Sequence, residues 1–344
     1  MKQLHLSALF TALLCLSSCT AKTELAYLEG FAQGTSYHIT FAVKQPSEKQ
    51  AIEQEISQEF ARLDREISNY RDDSSIEKFN AQTTTEPWQS SEEIVNLIET
   101  ARRVNKASSG CYDLTIKPLF ELWGFKKDKF NLPSDTALAE ARALVDMDNL
   151  ETVDKTHIRK KLPGLRVDLS SIGQGYSVGR MAAILEQHQI ENYLVEIGGE
   201  LKTRGKKTDG SPWRIALEKP LPNERKLEKI VVFNSGAPLS LMASGTYRHY
   251  FDNSGKRYSH ILDARSGKPV EHNTVAVTVL HPDPAIADAW STALLCMGSE
   301  EGSEVANQHG IAALYVDQEG DSLIERSTRA LDAIQDVTLE AVKN

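Results

Sequence analysis

Apolar residues recur along the chain at two spacings, and each spacing predicts a different kind of element. Residues 35–43 alternate polar and apolar side chains, which is typical of a strand with one buried face. A stripe of apolar residues from Ile52 to Ile67 steps by three or four, which predicts one buried face of a helix. Ser47 and Gln50 form a capping box that would start this helix. A second stripe, from Ile94 to Val104, predicts another helix of the same kind.

The second half of the chain is predicted to be richer in strands. Short apolar runs there are bounded by glycine-rich or polar turns. The predicted strands are residues 192–197, 213–217, 230–233, 275–280, 311–316 and 322–325. Further helices are predicted at residues 133–148, 175–188 and 284–297. Because no Pro/Ser/Gly-rich linker divides these elements, we expect one α+β domain, a single mixed α/β unit with two lobes.

The first nineteen residues form a separate unit. Lys2 supplies a positive charge, and the mostly apolar run from Leu4 to Leu16 is too short to span a bilayer comfortably. The run ends in two serines and Cys19, and small residues before a cysteine resemble the lipobox of bacterial lipoproteins. The alternatives are an ordinary signal peptide and an apolar helix that is retained. We predict a signal peptide at residues 1–18, a lipidated tether at 19–30 that begins with Cys19, and the folded domain at 31–344.

Composition narrows the class of protein. The 344 residues include 48 acidic and 39 basic side chains, and the net charge of −9 argues against a general nucleic-acid binder, which usually has a basic surface. Hydrophobic residues make up 40% and charged residues 25%, which are values of a soluble globular protein. Without Cys15 and Cys19, the mature chain keeps Cys111 and Cys296, which could pair in an oxidising compartment or remain two buried thiols.

A glycine-containing stretch, Asp168 to Tyr176, is a candidate for binding an anion. We predict that a short strand runs there into a loop with Gly173 and Gly175 and then into a helix. Glycines allow a ligand to approach the backbone, and the amides at a helix N-terminus favour a phosphate. The spacing is neither that of a dinucleotide fingerprint nor that of a Walker loop, and a plain strand-to-helix turn is the alternative.

Three polar residues are candidates for catalysis. Asp288 and Thr292 are four residues apart, so both would project from one face of a helix, where a carboxylate and a hydroxyl suit a cation such as Mg²⁺. His260 lies near a turn and could accept a proton from a hydroxyl nucleophile. The alternatives are a solvated helix face for the pair and a structural role for the histidine. The serines lie outside any nucleophile elbow, which argues against a serine hydrolase.

Together these stretches resemble the ApbE family of FAD:protein FMN transferases, and the resemblance covers nearly all of the mature chain. The motifs occur in the order of the family. They are Gln33-Gly34-Thr35, Ser68-Asn69-Tyr70, Tyr112 to Thr115, Asp168 to Tyr176, Glu196 to Glu200, Ser244-Gly245, Ser259 to Asp263 and Ala287 to Ala293. The resemblance implies a single mixed domain of the ApbE, T-fold-like type.

The resemblance also implies roles for individual residues. His260 would be the catalytic base at the acceptor hydroxyl. The Mg²⁺ ligands would be Ser171, Asp288 and Thr292. The FAD site would be lined by Gln33, Tyr70, Cys111, Tyr112, Asp113, Asp168, Gln174 and Ile261.

The activity that the resemblance implies is transfer of the FMN part of FAD to a Thr or Ser hydroxyl of an acceptor protein, through a phosphoester bond and with release of AMP. Family acceptors include subunits of the sodium-pumping NADH:quinone reductase and of the related Rnf complex. Members act on the periplasmic side of a bacterial membrane, often as lipoproteins, and here the inner membrane is favoured. The alternatives are an FAD pyrophosphatase that releases FMN and AMP, and a flavin-binding lipoprotein without catalysis.

Three positions depart from the family pattern. Gln174 stands where many members have lysine, so a cationic contact to the nucleotide is missing. Ala264 replaces a proline in the turn after His260. Ala285 stands where some members have a further acidic metal ligand. These departures concern nucleotide contacts and metal affinity more than the class of reaction.

Overall fold

A computed structural model describes residues 23–220, 227–247 and 249–342. The strands are β1 (Glu24–Ala32), β2 (Thr35–Val43), β3 (Trp88–Gln89), β4 (Leu150–Asp154), β5 (His157–Lys160), β6 (Tyr193–Ile197), β7 (Glu200–Arg204), β8 (Trp213–Glu218), β9 (Leu227–Phe233), β10 (Leu239–Gly245), β11 (Tyr250–Asn253), β12 (Lys256–Ser259), β13 (Leu262–Asp263), β14 (Lys268–Pro269), β15 (Thr274–His281), β16 (Ala312–Glu319), β17 (Ser322–Ser327) and β18 (Val337–Ala341). The helices are α1 (Pro46–Ile67), α2 (Ser75–Ala81), α3 (Glu92–Ala107), α4 (Lys117–Leu122), α5 (Asp135–Arg142), α6 (Ser170–Gln187), α7 (Pro284–His309) and α8 (Arg329–Ala333).

An eight-stranded antiparallel sheet occupies the centre, in the order β1-β2-β6-β7-β10-β15-β16-β17. Strands β18, β9 and β8 form a second sheet, and β3, β5 and β4 a third. The hairpin of β11 and β12 and the short pair of β13 and β14 stand apart from these sheets. The mixed α/β class that the sequence predicts is confirmed, whereas the division into two lobes stays a prediction.

Residues of the central strands alternate between two hydrophobic clusters, because successive side chains of a strand face opposite sides. Ala313 and Tyr315 belong to the cluster that includes α1, α3, α6 and α7. Ala312 and Leu314 belong to the cluster shared with β8, β9, β18 and α8. The central sheet is therefore covered by helices on one face and by the second sheet on the other. The predicted stripes at Ile52–Ile67 and Ile94–Val104 are buried on the helical side, which confirms both helices.

Helices α6 and α7 pack unusually close to each other at Gly175. A Cβ atom at this position would lie 2.3 Å from the carbonyl oxygen of Pro284 and 2.6 Å from Cβ of Asp288. Such distances are far inside van der Waals contact, so only a residue without a side chain fits between the helices. The glycine is required by the approach of the second helix, and not by a turn of its own backbone.

Several predicted boundaries are wrong. Glu24 to Gly30, predicted as part of the tether, form most of strand β1. Gly173 and Gly175, predicted in a loop, lie inside α6, which begins at Ser170. The third predicted helix, 133–148, is limited to α5 and a short 3₁₀ segment.

Helix ends also differ from prediction. The N-cap of α1 is Gln45, paired with Glu48 in a capping box, and not Ser47. Helix α7 continues beyond its predicted end at Met297, past a break at Gly298. Within the described residues, none of the helices has the length and apolar character needed to cross a bilayer. The predicted signal peptide and Cys19 lie outside the described residues.

The packing of α6 against α7 gives a test with a matched control. Gly175→Ala should lower the free energy of unfolding by about 1–3 kcal/mol, because the added methyl group meets backbone atoms of α7. Gly173→Ala, two residues earlier in the same helix, meets only Cδ1 of Ile67 at 3.4 Å. The control should be neutral or more stable by up to about 1 kcal/mol, since alanine favours a helix over glycine. Urea unfolding of both variants checks this, and equal stabilities would contradict it.

Candidate functional site

A cavity of about 380 Å³ lies where the start of α6, the first half of α7, strand β10 and the segments after α3 and β12 meet. It brings together residues that are distant in the sequence. The predicted site residues that line it are Tyr70, Cys111, Tyr112, Asp113, Asp168, Ser171, Gln174, His260, Ile261, Asp288 and Thr292. Its size is in the range of small-molecule and cofactor sites.

The remaining predicted residue, Gln33, lines a neighbouring cavity of about 520 Å³. Tyr70, Ser170 and Gln174 border both cavities, so the two spaces adjoin. Gln33 and Gly34 form the turn between β1 and β2 and have positive φ values of 52° and 78°. Positive φ at both positions is what a two-residue hairpin turn of this kind requires.

Asp288 is the buried carboxylate of the cavity. Its Oδ2 accepts a hydrogen bond of 2.8 Å from the backbone N–H of Gly175, a direct result of the close helix packing. Burial raises the pKa of Asp288 to about 7, because the charged form loses its hydration and gains only this one backbone hydrogen bond in return. A carboxylate in this position gains stability from a cation placed beside it.

Hydroxyl groups surround the carboxylate side of the cavity. The Oγ1 atom of Thr292 lies 3.2 Å from Oγ of Ser244, which also lies 2.8 Å from Oγ of Ser291. Ser171, in the first turn of α6, donates through its Oγ to the Tyr112 hydroxyl at 3.2 Å. Asp288, Thr292 and Ser171 therefore offer only oxygen donors, which is the chemistry that Mg²⁺ prefers. These residues fit the metal that the sequence predicts.

His260 faces the cavity with a defined tautomer. Its Nδ1 lies 2.8 Å from the carbonyl oxygen of His249. Because a carbonyl can only accept, Nδ1 carries the proton, and Nε2 keeps a free lone pair. Burial lowers the pKa of His260 to about 4, so the imidazole is neutral near pH 7 and can accept a proton. The ring of His249 stacks on it, with centroids 5.2 Å apart.

The segment after α3 provides another wall of the cavity. Asp113 caps a short 3₁₀ helix by accepting from the Thr115 N–H at 2.7 Å, and it also accepts from the Met147 N–H at 3.0 Å. Its carboxylate is thus engaged within the wall, and burial raises its pKa to about 6. Asp168 similarly accepts from the Ser170 N–H at 2.9 Å at the start of α6. Both aspartates therefore shape the cavity wall through the backbone.

Cys111 and Cys296 form a disulfide, which resolves the alternative that the sequence left open. Both cysteines line the cavity. With Asp263 they form the one group of three or more His, Cys, Asp or Glu side chains that lie close enough together in the described part of the chain to share an ion. A disulfide has no thiolate to offer, so this cluster is not a metal site.

Two of the three departures from the family pattern have hydrogen-bond partners, and the third is buried. Gln174 donates through its Nε2 to the Ile197 carbonyl at 2.6 Å, so its amide is held at the turn between β6 and β7. The N–H of Ala264 donates to the Cys111 carbonyl at 3.2 Å. Ala285 is buried near the start of α7 and offers no side-chain ligand.

Among the cavity-lining residues that the prediction from sequence missed, three make hydrogen bonds that shape the site. Ser244 was noted only as part of a motif, and its contact with Thr292 depends on how β10 packs on α7. His249 supplies the carbonyl that orients His260, a role for which the sequence carries no signal. Glu200 accepts from the Ala243 N–H at 3.0 Å, across the neighbouring strands β7 and β10.

Comparisons with known proteins agree over most of the chain. The model of the ApbE family matches residues 33–315. The FAD:protein FMN transferase of Escherichia coli K12 is 34% identical over 308 residues, which cover 88% of this chain and 87% of the relative. The FAD:protein FMN transferase of Vibrio cholerae is 36% identical over 318 residues, which cover 91% and 94%.

Solved structures show the same fold. The flavin transferase ApbE from Vibrio cholerae superposes with a TM-score of 0.81 at 34% identity, covering 90% of this chain and 99% of that one. The apo form of the flavinyl transferase ApbE from Pseudomonas stutzeri also has a TM-score of 0.81, at 36% identity and with coverage of 90% and 96%.

The buried carboxylate gives a test of the metal assignment. Asp288→Asn should weaken Mg²⁺ binding at least about tenfold, because the ligand charge is lost. In the unaltered protein the Mg²⁺ affinity should rise between pH 6 and pH 8, as the carboxyl ionises through its pKa of about 7. Calorimetric titration measures both effects. Asp317→Asn, which alters a buried carboxylate of β16, is the control and should leave Mg²⁺ binding unchanged.

A second readout needs no metal. Because the pKa of Asp288 is raised above its ordinary value of 3.8, the metal-free folded protein holds a proton that the unfolded chain has already lost. The contribution of Asp288 to stability should therefore fall as the pH rises from about 4 to 7, and Asp288→Asn should remove this contribution, while the similar one from Asp113 stays. A variant with the same pH profile and the same Mg²⁺ affinity as the unaltered protein would contradict the assignment.

Proposed function

The chain belongs to the ApbE family, and on that premise we infer that it is an FAD:protein FMN transferase. The observation that carries this conclusion is the convergence of His260, the Asp288 carboxylate and the Thr292 hydroxyl on one cavity of cofactor size. Asp288 and Thr292 both belong to α7, whereas His260 directly follows β12. A base and a set of oxygen donors for a cation are what attack on a diphosphate requires.

In the reaction that we propose, the hydroxyl oxygen of the acceptor attacks the phosphorus of the FMN half of FAD. A new O–P bond forms, the bond from this phosphorus to the bridging oxygen of the diphosphate breaks, and AMP leaves. Nε2 of His260 takes the proton of the hydroxyl, which is possible because Nδ1 is already committed to the His249 carbonyl. A low pKa keeps this base neutral before the reaction begins.

We propose that Asp288, Thr292 and Ser171 hold the Mg²⁺. When bound, the cation would neutralise the negative charge that develops on the leaving phosphate of the diphosphate. Asp288 contributes the charge, and Thr292 and Ser171 contribute neutral oxygens from α7 and α6. Support comes from the burial of the carboxylate and from its single hydrogen bond, which leaves its other oxygen without a protein donor among the described residues.

FAD would lie along both adjoining cavities. Tyr112 and Ile261 are buried and provide apolar walls, and Tyr70 is 73% exposed at the border of the two spaces, where its ring can stack on a flavin or adenine ring. The remaining residues proposed to contact FAD are Gln33, Cys111, Asp113, Asp168 and Gln174. Because Gln174 replaces a lysine, its contact would be a hydrogen bond and not an ion pair.

We also propose that the enzyme is anchored by lipid at Cys19 on the periplasmic side of a bacterial membrane, with the inner membrane favoured. Acceptors would then be proteins at the same surface, such as subunits of a sodium-pumping NADH:quinone reductase or of an Rnf-type complex. The lipobox-like sequence and the family resemblance support this proposal. The acidic net charge supports the absence of a nucleic-acid partner.

Covalent flavin on an acceptor tests the function directly. The protein, FAD, Mg²⁺ and an acceptor domain should give a fluorescent acceptor band on a denaturing gel. His260→Ala should lower the rate of transfer about 10²- to 10⁴-fold, because the proton acceptor is lost, while the affinity for FAD stays within about threefold. His188→Ala, at the end of α6 and outside the cavity, is the matched control and should transfer normally.

Each other outcome has a defined meaning. A competent acceptor that stays dark with the unaltered enzyme would sink the proposed function. Release of FMN and AMP without acceptor would favour the pyrophosphatase, and FAD binding without any product would favour a flavin-binding protein. Loss of FAD binding in His260→Ala would move this residue from catalysis to binding.

The lipid anchor has its own test. When the full precursor is produced in a Gram-negative host, the unaltered protein should be found in the membrane fraction and should incorporate labelled palmitate. Cys19→Ala should abolish both, because the acylated sulfur is lost. Cys15→Ala is the matched control, since Cys15 lies inside the predicted signal peptide. Membrane association and label that persist in Cys19→Ala would contradict the anchor.

A further inference from the structure

The Cys111–Cys296 disulfide lies in the wall of the cavity and joins two of its parts. The cysteines are 185 residues apart in the sequence, and their Cα atoms are 6.0 Å apart. Cys111 precedes Tyr112 and Asp113, which line the cavity on the side of α3. Cys296 belongs to α7, the helix that carries Asp288 and Thr292. The disulfide is therefore a covalent connection between Cys111–Asp113, which we call the flavin segment, and α7, which we call the proposed metal helix.

The position of Cys296 on α7 strengthens this connection. Asp288, Thr292 and Cys296 follow one another at intervals of four residues, so they lie on one face of the helix. All three line the cavity. A shift of the flavin segment relative to this face would therefore move Tyr112 relative to Asp288 and Thr292.

The backbone directly before the flavin segment has an unusual conformation. Ser109 and Gly110, directly before Cys111, both have positive φ values, 51° and 83°. This conformation is uncommon for a serine and is held by the surrounding contacts. The segment is otherwise tied by hydrogen bonds, among them Ala264 N–H to the Cys111 carbonyl at 3.2 Å and the Asn105 side chain to the Tyr112 carbonyl at 2.7 Å. The disulfide is its covalent tie to α7.

We propose that this disulfide is a positioning element of the transfer site, which holds Tyr112 against the face of α7 that carries Asp288 and Thr292, and that its reduction weakens FAD binding while the protein stays folded. The inference rests on the proposed function for its substrate. Hydrogen bonds and a large core remain after reduction, so we expect the fold to persist. What changes is the freedom of the segment, and small displacements of binding groups have large effects on reactivity.

Reduction of the bond is a two-electron step. Two glutathione thiols supply two electrons and two protons, the S–S bond breaks, two protein thiols form, and the glutathiones are oxidised to their disulfide. The cysteines are only 1% and 4% exposed, but both border the cavity, so a thiol can reach them through it. FAD in the cavity would block this route. That block would slow reduction. Because the oxidised form is proposed to bind FAD more tightly than the reduced form, FAD and the disulfide should also stabilise each other at equilibrium.

The test compares the oxidised and reduced forms of the folded protein. Flavin fluorescence without acceptor gives the Kd for FAD, and circular dichroism confirms the fold. Reduction should raise the Kd and the KM for FAD roughly tenfold, with a smaller change in kcat. By linkage, saturating FAD should make the protein disulfide harder to reduce by the same factor, which is about 30 mV for a two-electron couple in glutathione buffers.

Two variants separate positioning from stability. Cys111→Ala combined with Cys296→Val should show the raised Kd permanently and should not respond to glutathione. Leu331→Ala, in the hydrophobic cluster on the opposite side of the central sheet, lowers stability without touching the cavity and should keep the normal Kd. If the oxidised and reduced forms bind FAD equally, or if the loss only follows the folded fraction, the proposal is wrong. If the proposed transferase function were wrong, the result would differ: the oxidised protein, the reduced protein and the variants would all fail to transfer FMN to an acceptor.

Discussion

The close packing of α6 and α7 at Gly175 is the constraint on which the site depends. Without a side chain at this position, the backbone N–H of Gly175 reaches the Asp288 carboxylate and the first turn of α6 comes beside α7. A hydrogen bond from a backbone amide fixes the carboxylate but does not neutralise it, and its pKa is accordingly raised. The packing of two helices thus creates a buried oxygen donor that favours a cation, with Ser171 and Thr292 nearby.

The base is held by a different part of the molecule. His260 follows the hairpin of β11 and β12, which packs through Phe251 on Phe125, with ring centroids 4.8 Å apart. This aromatic contact joins the hairpin to a small hydrophobic cluster that is separate from the helical core. The site therefore combines α7, the proposed metal helix, which packs in one cluster, with His260, the proposed base, which is held by another, and the Cys111–Cys296 disulfide connects Cys111–Asp113 to α7.

The sequence predicted those helices and strands whose positions are set by the spacing of their apolar residues alone. The stripe at Ile52–Ile67 and the alternation at 35–43 are confirmed, because burial on one face imposes their spacing. Strand β1 was missed because only Ala26 and Leu28 are buried in it, while the apolar side chains of Tyr27 and Phe31 are exposed, so apolar and polar residues do not alternate along it. Gly175 was placed in a loop because glycine usually marks a turn, whereas here it makes room for a second helix.

The sequence predicted which residues belong to the site, but it did not predict how they are arranged in space. Resemblance to a family named the residues, but the orientation of His260 by the His249 carbonyl and the pairing of Cys111 with Cys296 depend on distances that no local pattern encodes.

The most direct measurement of the central claim is a crystal structure with FAD and Mn²⁺ in place of Mg²⁺. The account predicts an anomalous peak about 2–2.3 Å from oxygens of Asp288 and Thr292. It also predicts that the FAD diphosphate lies in the cavity that His260 lines. An ion bound elsewhere, or FAD bound outside this cavity, would contradict it.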